Sequence, residues 1–474
     1  MNPPARTLRR KFVSQIAVLA LPVIAAPYAL ADFSQTGAGP YDYNDTANWS
    51  GGSINNTFTS NSSLTADQVI YFGADTTLSG GLSIGNTSAY NRTFRGEGGA
   101  RTLTLGGNLT LNGTGNSNSN VVVFGSNNSD EALNINLGAS RTFTIGSNRT
   151  LEVLNSITGT GSLTFSGNGT LRLTSTTSDF TGIFQVGTGS GAGVVEVTKL
   201  ADSGTASSIG KGNEIRFGGN GTNTLRYLGS GDSTNRRLLM GSAGAIIDSS
   251  GSGAVKFTNT ATQLNGSTGS PRTITLTGTN TGDNTIATSF THADAASPFS
   301  PGPVSIRKQG SGRWILAGNN TYTGDTIIDA GTLELGSSNS GGDGSNMILN
   351  GGTFATGGFS ETFGTLTVNG NAVIDFGDGA SALVFADSHD IAWGDSVSLS
   401  LINFTEGVDS IRFGTSNLGL SESQLAKITI NGFAATINDE GFLTFSMIPE
   451  PSAIGVVAGL GGLFLAGARR RRAS

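Results

Sequence analysis

Residues 304–336 read VSIRKQGSGRWILAGNNTYTGDTIIDAGTLELG, and the spacing within them decides the fold. Trp314 and Leu316 flank Ile315, Ile327 and Asp329 flank Ile328, and Leu333 and Leu335 bracket Glu334. Side chains two apart share one face of a strand, so these runs predict short strands with alternating faces. Gly318-Asn319-Asn320, Tyr322-Thr323-Gly324 and Asp329-Ala330-Gly331 separate them, rich in the residues that accept positive φ in turns. One such unit cannot bury its apolar face alone. Copies above and below it would, which makes a solenoid the natural architecture.

The same stretch resembles a known family. Lys308, Gly310-Ser311-Gly312, Ile315-Leu316, Gly318 through Gly324, Thr326 and Ala330-Gly331-Thr332-Leu333 are similar to the autotransporter-associated β-strand repeat of bacterial surface proteins. The resemblance implies a rung of a right-handed parallel β-helix. The expected fold is therefore all-β: a right-handed parallel β-helix solenoid with terminal caps.

Composition agrees with a thin-cored rod. The 474 residues include 72 Gly and 11 Pro, with 36% hydrophobic and 13% charged residues, against about 25% charged in average soluble proteins. The surface must then be largely hydroxyl and amide. Period-2 recurrence of apolar residues between turns separates this chain from Gly-rich disordered tracts. Residues 1–31 and 452–474 hold eight basic residues and no acid, so the remainder carries 27 − 8 = 19 basic against 33 acidic, a charge of −14. That balance argues against nucleic acid as a partner. Cysteine is absent, which removes disulfides and thiol chemistry.

The two ends read as addresses. Arg9-Arg10-Lys11, an apolar stretch from Ile16 to Ala26 and Ala29-Leu30-Ala31 have the layout of a secretory signal peptide over 1–31, with signal peptidase expected to cut after Ala31. At the other end, Pro449-Glu450-Pro451 precedes the uncharged run 452–468 and then Arg469, Arg470, Arg471 and Arg472. The basic cluster would stay cytoplasmic, placing everything before it outside, with membrane contact only through this helix. The order and spacing resemble the PEP-CTERM sorting signal of Gram-negative bacteria, which implies an exosortase as partner and processing beside Pro449-Glu450-Pro451. A permanent anchor is the alternative for the sorting tail, 448–474.

Between the ends, residues 32–60 form an expected N-terminal cap, with Tyr43 and Trp49 as its plug. A sugar-stacking platform is the other use for those rings. Residues 61–386 form the β-helix, carrying apolar pairs such as Leu103 and Leu105, Leu109 and Leu111, Phe143 and Ile145, and Leu171 and Leu173. Asparagines at repeated turn positions can stack as amide ladders. Residues 387–447 change character and read as a C-terminal β cap module, with one helical turn at 421–427 that Ser421 caps.

Because parallel β-helices also host polysaccharide-cleaving enzymes, acid pairs matter. Asp325 with Asp329 and Asp375 with Asp378 are the nearest pairs, and each has a simpler reading as a turn. His292 and His389 lie too far apart in sequence to suggest a zinc site, and GGDGSN at 341–346 is a single loose echo of a calcium-binding repeat. An autotransporter proper would need many further strands for a membrane barrel. The expectation is a secreted or cell-surface protein, structural or adhesive rather than enzymatic, without cofactor or metal, contacting exopolysaccharide. The alternative is a polysaccharide lyase or hydrolase on the same scaffold.

Overall fold

The computed structural model describes residues 33–445 apart from 51–57, 61–63, 86–89, 113–119, 265–270, 292–301 and 343. Ala29, Ala31, Pro449, Glu450, Pro451 and Arg469 to Arg472 lie outside the described residues. Within these, the α-helix content is the four-residue Glu422–Leu425. The rest is strand, turn and short 3-10 segments.

Fourteen of the described strands build one long sheet, from Tyr41–Asp42 to Leu366–Val368. Neighbours pair in parallel, and partners are as close in sequence as Leu349 and Val368 (368 − 349 = 19) or as far apart as Leu276 and Lys308 (308 − 276 = 32). Each pairing closes one turn of a parallel β-helix. Thirteen steps of about 4.8 Å make this sheet about 60 Å long.

Each turn has up to three faces. After its long-sheet strand the chain enters a second face, made by Thr76–Leu78, Arg101–Leu105, Leu133–Leu137 and Ile157–Gly159 early on and by an 11-stranded sheet from Ser230–Thr234 onward. The third face is a nine-stranded sheet up to Thr262–Leu264 and a three-stranded one from Glu361–Phe363. Variation in turn length is absorbed at the corners. In the turn that contains residues 198–213, the second face is a loop bridged to the turn below at Ser178 and Ser207.

Inward positions stack by kind. Phe94 lies flat on Phe124 with ring centroids 4.7 Å apart, and Phe363, Phe385 and Phe413 occupy one register column at 5.5 and 5.0 Å. Burying a large side chain in such a column contributes about 1.5–3 kcal/mol. In the opening stretch, Trp314, Leu316, Ile328, Leu333 and Leu335 face inward, while Ile315, Ile327 and Glu334 face out. Gly331 has φ +67, and a Cβ there would press on the Gly312 carbonyl one turn below. A larger residue at that corner would push the turns apart.

The core is closed at both ends. Tyr43 stacks on Phe72 at 4.7 Å, Trp49 meets Tyr43 edge-on, and the indole Nε1 donates to the Tyr43 carbonyl at 2.9 Å. Parallel pairing then runs through residue 387 without a break, through Leu399–Ile402 to Ile428–Ile430. It turns antiparallel only at Phe433–Ile437 and Leu443–Phe445. Ser421 and Gln424 form a reciprocal capping box, and Gln424 Nε2 donates to the Ser388 and Ile391 carbonyls at 2.8 Å. That bond seats the short helix over the last turns, beside Trp393, whose Nε1 donates to the Leu366 carbonyl at 3.0 Å.

Candidate binding surface

The repeat's polar residues mostly serve the stack. Lys308 occupies an inward column between Leu276 and Ile328 and is fully buried. Its Nζ donates to the carbonyls of Gln309 at 2.6 Å, Gly310 at 2.8 Å and Ala330 at 3.0 Å. Burial lowers its pKa to about 8. Asn320, also buried, accepts from Phe290 N at 2.7 Å and donates to the Ser340 carbonyl at 2.6 Å. Tyr322 OH lies among Thr326 Oγ1 and the Gly341 carbonyl, and burial raises its pKa well above the usual phenol range. The GNNTYTG turn is thus an internal brace.

The acids that look scattered in sequence are gathered by register. Glu152, Arg172, Glu196, Arg226 and Asp248 take one outward position on five consecutive long-sheet strands. Arg172 reaches Glu196 at 2.7 Å and Glu152 at 3.7 Å, and Arg226 reaches Glu196 at 3.2 Å and Asp248 at 2.7 Å. Hydrogen bonding to Glu196 is the main reason the Arg172 guanidinium is held above its ordinary pKa. Alternating sign gives each of the three inner members, Arg172, Glu196 and Arg226, an opposite charge on both sides.

The neighbouring faces carry columns of a different kind. On the second face Thr77, Thr104, Asn136 and Thr158 share a register position; on the third, Ser83, Thr110, Thr144 and Ser166 do so. Adjacent members are about 4.8 Å apart along the rod. Further on, Asp329, Asn350 and Asn369 form a ladder, Asn350 donating to Asp329 at 2.7 Å and Asn369 to Asn350 at 3.0 Å. A small groove lies where Asn134, Leu154, Asn155, Ser156 and Thr174 to Thr177 meet at a corner.

The structure does not bring the two acid pairs into a common cleft. Asp329 accepts from Arg307, Gln309 and Asn350, and these bonds overcome partial burial to hold its carboxyl below the usual range. The Asp325 carboxylate accepts a long 3.3 Å bond from Asn346. Asp375 accepts from Gly377 N at 2.9 Å and Asn403 Nδ2 at 2.7 Å, while Asp378, three residues further on, is exposed. His389 is exposed in a turn and His292 lies outside the described residues. Among the described residues no group of three or more His, Asp or Glu is placed to hold a metal ion.

Buried arginines escaped sequence reasoning, Arg92, Arg149, Arg236 and Arg272 among them. Arg236 is fully buried and donates to the carbonyls of Ala201, Thr205, Ile209 and Gly210 and to Ser207 Oγ, at 2.6–3.2 Å. Burial lowers its pKa to about 10. It staples the 201–210 loop to the rod. Its only sequence signal is a charge among apolar strand neighbours, in Arg236-Arg237-Leu238-Leu239.

This geometry defines a parallel β-helix with braced interior turns and polar outer columns. Residues 306–335 match the family described as Passenger-associated-transport-repeat, so the chain carries an autotransporter-associated repeat. Over 145 residues, 30% of this chain, it is 44% identical to the adhesin BmaC autotransporter of Brucella suis biovar 1 (strain 1330). The matched part spans 4% of that protein's length. No solved structure matches the chain.

Proposed function

We propose that the protein is a secreted, non-enzymatic adhesive or structural component of a Gram-negative cell surface or extracellular matrix. The observation that carries the reading is the in-register set of hydroxyl and amide columns on the second and third faces of the rod. Uncharged polar groups at a constant repeat suit many weak contacts with exopolysaccharide, which add by avidity. Similarity to an adhesin supports the surface role. On this reading signal peptidase cuts after Ala31, and an exosortase processes the chain beside Pro449-Glu450-Pro451, with Arg469 to Arg472 holding the tail in the membrane until then.

The test expresses the full chain in a Gram-negative host with and without an exosortase, and the released body is identified by mass spectrometry. Exosortase-dependent loss of the tail, abolished when Pro449, Glu450 and Pro451 are replaced by Ala, is the expected result. The recovered body is then sedimented with neutral and acidic polysaccharides while new reducing or unsaturated ends are counted. Binding without new ends is expected; steady release of ends would replace this reading with the lyase or hydrolase one.

A further inference from the structure

Resting on that reading, we propose that the recess lined by Gly377, Asp378, Asn403, Phe404, Thr405 and Asn431 is a binding site for a neutral saccharide unit. It exists because the stack is cut short at one corner. Ala372–Asp375, Leu399–Ile402 and Ile428–Ile430 pair in parallel on the second face. After the first two, the chain rounds the corner into Ala382–Phe385 and Ser410–Phe413. After the third it does not: Asn431 and Gly432, with φ 47° and 85°, reverse it into the antiparallel Phe433–Ile437. Among the described residues no further parallel turn covers the 403–405 corner, and a recess of about 570 Å³ remains.

The lining is rigid where it must be and unpartnered where a ligand would bind. Asp409 accepts from Ser381 N at 2.9 Å and Thr405 N at 2.8 Å, fixing the 403–409 turn. Asn431 exchanges both bonds with the Phe404 backbone, at 3.2 and 2.7 Å. Asn403, an exposed residue, gives its Nδ2 to Asp375 at 2.7 Å, and among the described residues no hydrogen bond engages its Oδ1. Among the described residues no hydrogen bond engages the Asp378 carboxylate or the Thr405 hydroxyl, and both residues are exposed.

The free groups are mainly acceptors, so the ligand must bring donors. A carboxylate and an amide oxygen suit the vicinal hydroxyls of a sugar. Among the described residues no Lys or Arg lines the recess, and Glu406 adjoins Thr405, so a uronate, sulfate or phosphate would meet repulsion. The volume falls within the range of about 300–1,000 Å³ common for small-ligand sites. A neutral pyranose unit of a longer chain meets these conditions, with Asp378 as its principal acceptor.

Affinity electrophoresis of the full chain through gels holding glucan, galactomannan or polygalacturonate tests this. Retardation by a neutral polymer is expected, weakened about tenfold by Asp378→Asn and Asp378→Ala, as for loss of one charge-assisted hydrogen bond. Asp378→Asn should also narrow the discrimination against polygalacturonate, while Lys256→Gln on a distant strand changes nothing and melting is unaltered throughout. If the wild type is retarded and both Asp378 variants match it, the site is wrong and the adhesive reading stands. If no polymer retards the wild type, both fail. Retardation abolished by EDTA would overturn direct recognition.

Discussion

Lys308 Nζ donates to the carbonyl oxygen of Ala330, 3.0 Å away and one turn further along the rod. With Gln309 and Gly310 it forms a cage of three carbonyls around a buried ammonium. Lys308→Met would leave those oxygens without a donor while removing a desolvated charge. The cost of unsatisfied acceptors wins, and a loss of about 2 kcal/mol at neutral pH is expected from urea unfolding.

The same group gives a pH signature. Unfolded, Lys308 holds its proton up to about 10.5; folded, it releases it near 8. Between those values the unfolded chain binds more protons, so this residue's contribution makes stability rise with pH, by up to about 3 kcal/mol. Below pH 8 the burial penalty is present in full. The wild type minus Lys308→Met difference should show that rise, and a flat difference between pH 7 and 10 would refute the assignment.

In the charge column, a double-mutant cycle on Arg172 and Glu196 should return a coupling of about 1 kcal/mol, since the arginine is partly exposed and screened. Glu196→Gln alone weakens contact with both Arg172 and Arg226. Raising salt to 1 M should reduce the coupling by more than half.

Gly331 and Gly344 have φ of +67 and +74, but a Cβ at Gly331 meets the Gly312 and Gly310 carbonyls whereas one at Gly344 meets nothing within 4 Å. Both alanine variants carry the left-handed backbone cost of about 1 kcal/mol. Gly331→Ala should lose at least another 1–2 kcal/mol by overpacking, in a parallel denaturation comparison. Equal losses would mean that the turns can part without cost.

Arg236→Lys should loosen the 201–210 loop almost as much as Arg236→Met, because an ammonium cannot span acceptors on Ala201, Thr205, Ile209 and Gly210. Trypsin cutting after Lys199 or Lys211, slow in the wild type, is the readout.

The fold was legible because its rule is local. Alternation around Trp314, Ile328 and Leu333 and the Gly-Asn corners are visible in single runs, and each of those residues is buried where the alternation points. Register was not legible, because partners on the long sheet stand 19 to 32 residues apart with no fixed period, so Glu152, Arg172, Glu196, Arg226 and Asp248 look unrelated until the turns are closed. Lys308 was visible only as a motif letter, and a charged residue would ordinarily be placed outside. The C-terminal recess depends on Asn431-Gly432 reversing the chain, and Asn-Gly also occurs at turns that continue the rod, such as Asn350-Gly351.

Each turn touches mainly the turn above and the turn below, and the last is fastened by a hairpin. A load pulling on the chain beyond Phe445 therefore strips Leu443–Phe445 and Phe433–Ile437 first, then single turns in succession. Every turn released pays out a strand-like length of about 60–110 Å for its 19 to 32 residues. A cell held by such a tether would be let down in small steps, and the bond at the far end would see a capped tension instead of a sudden jerk.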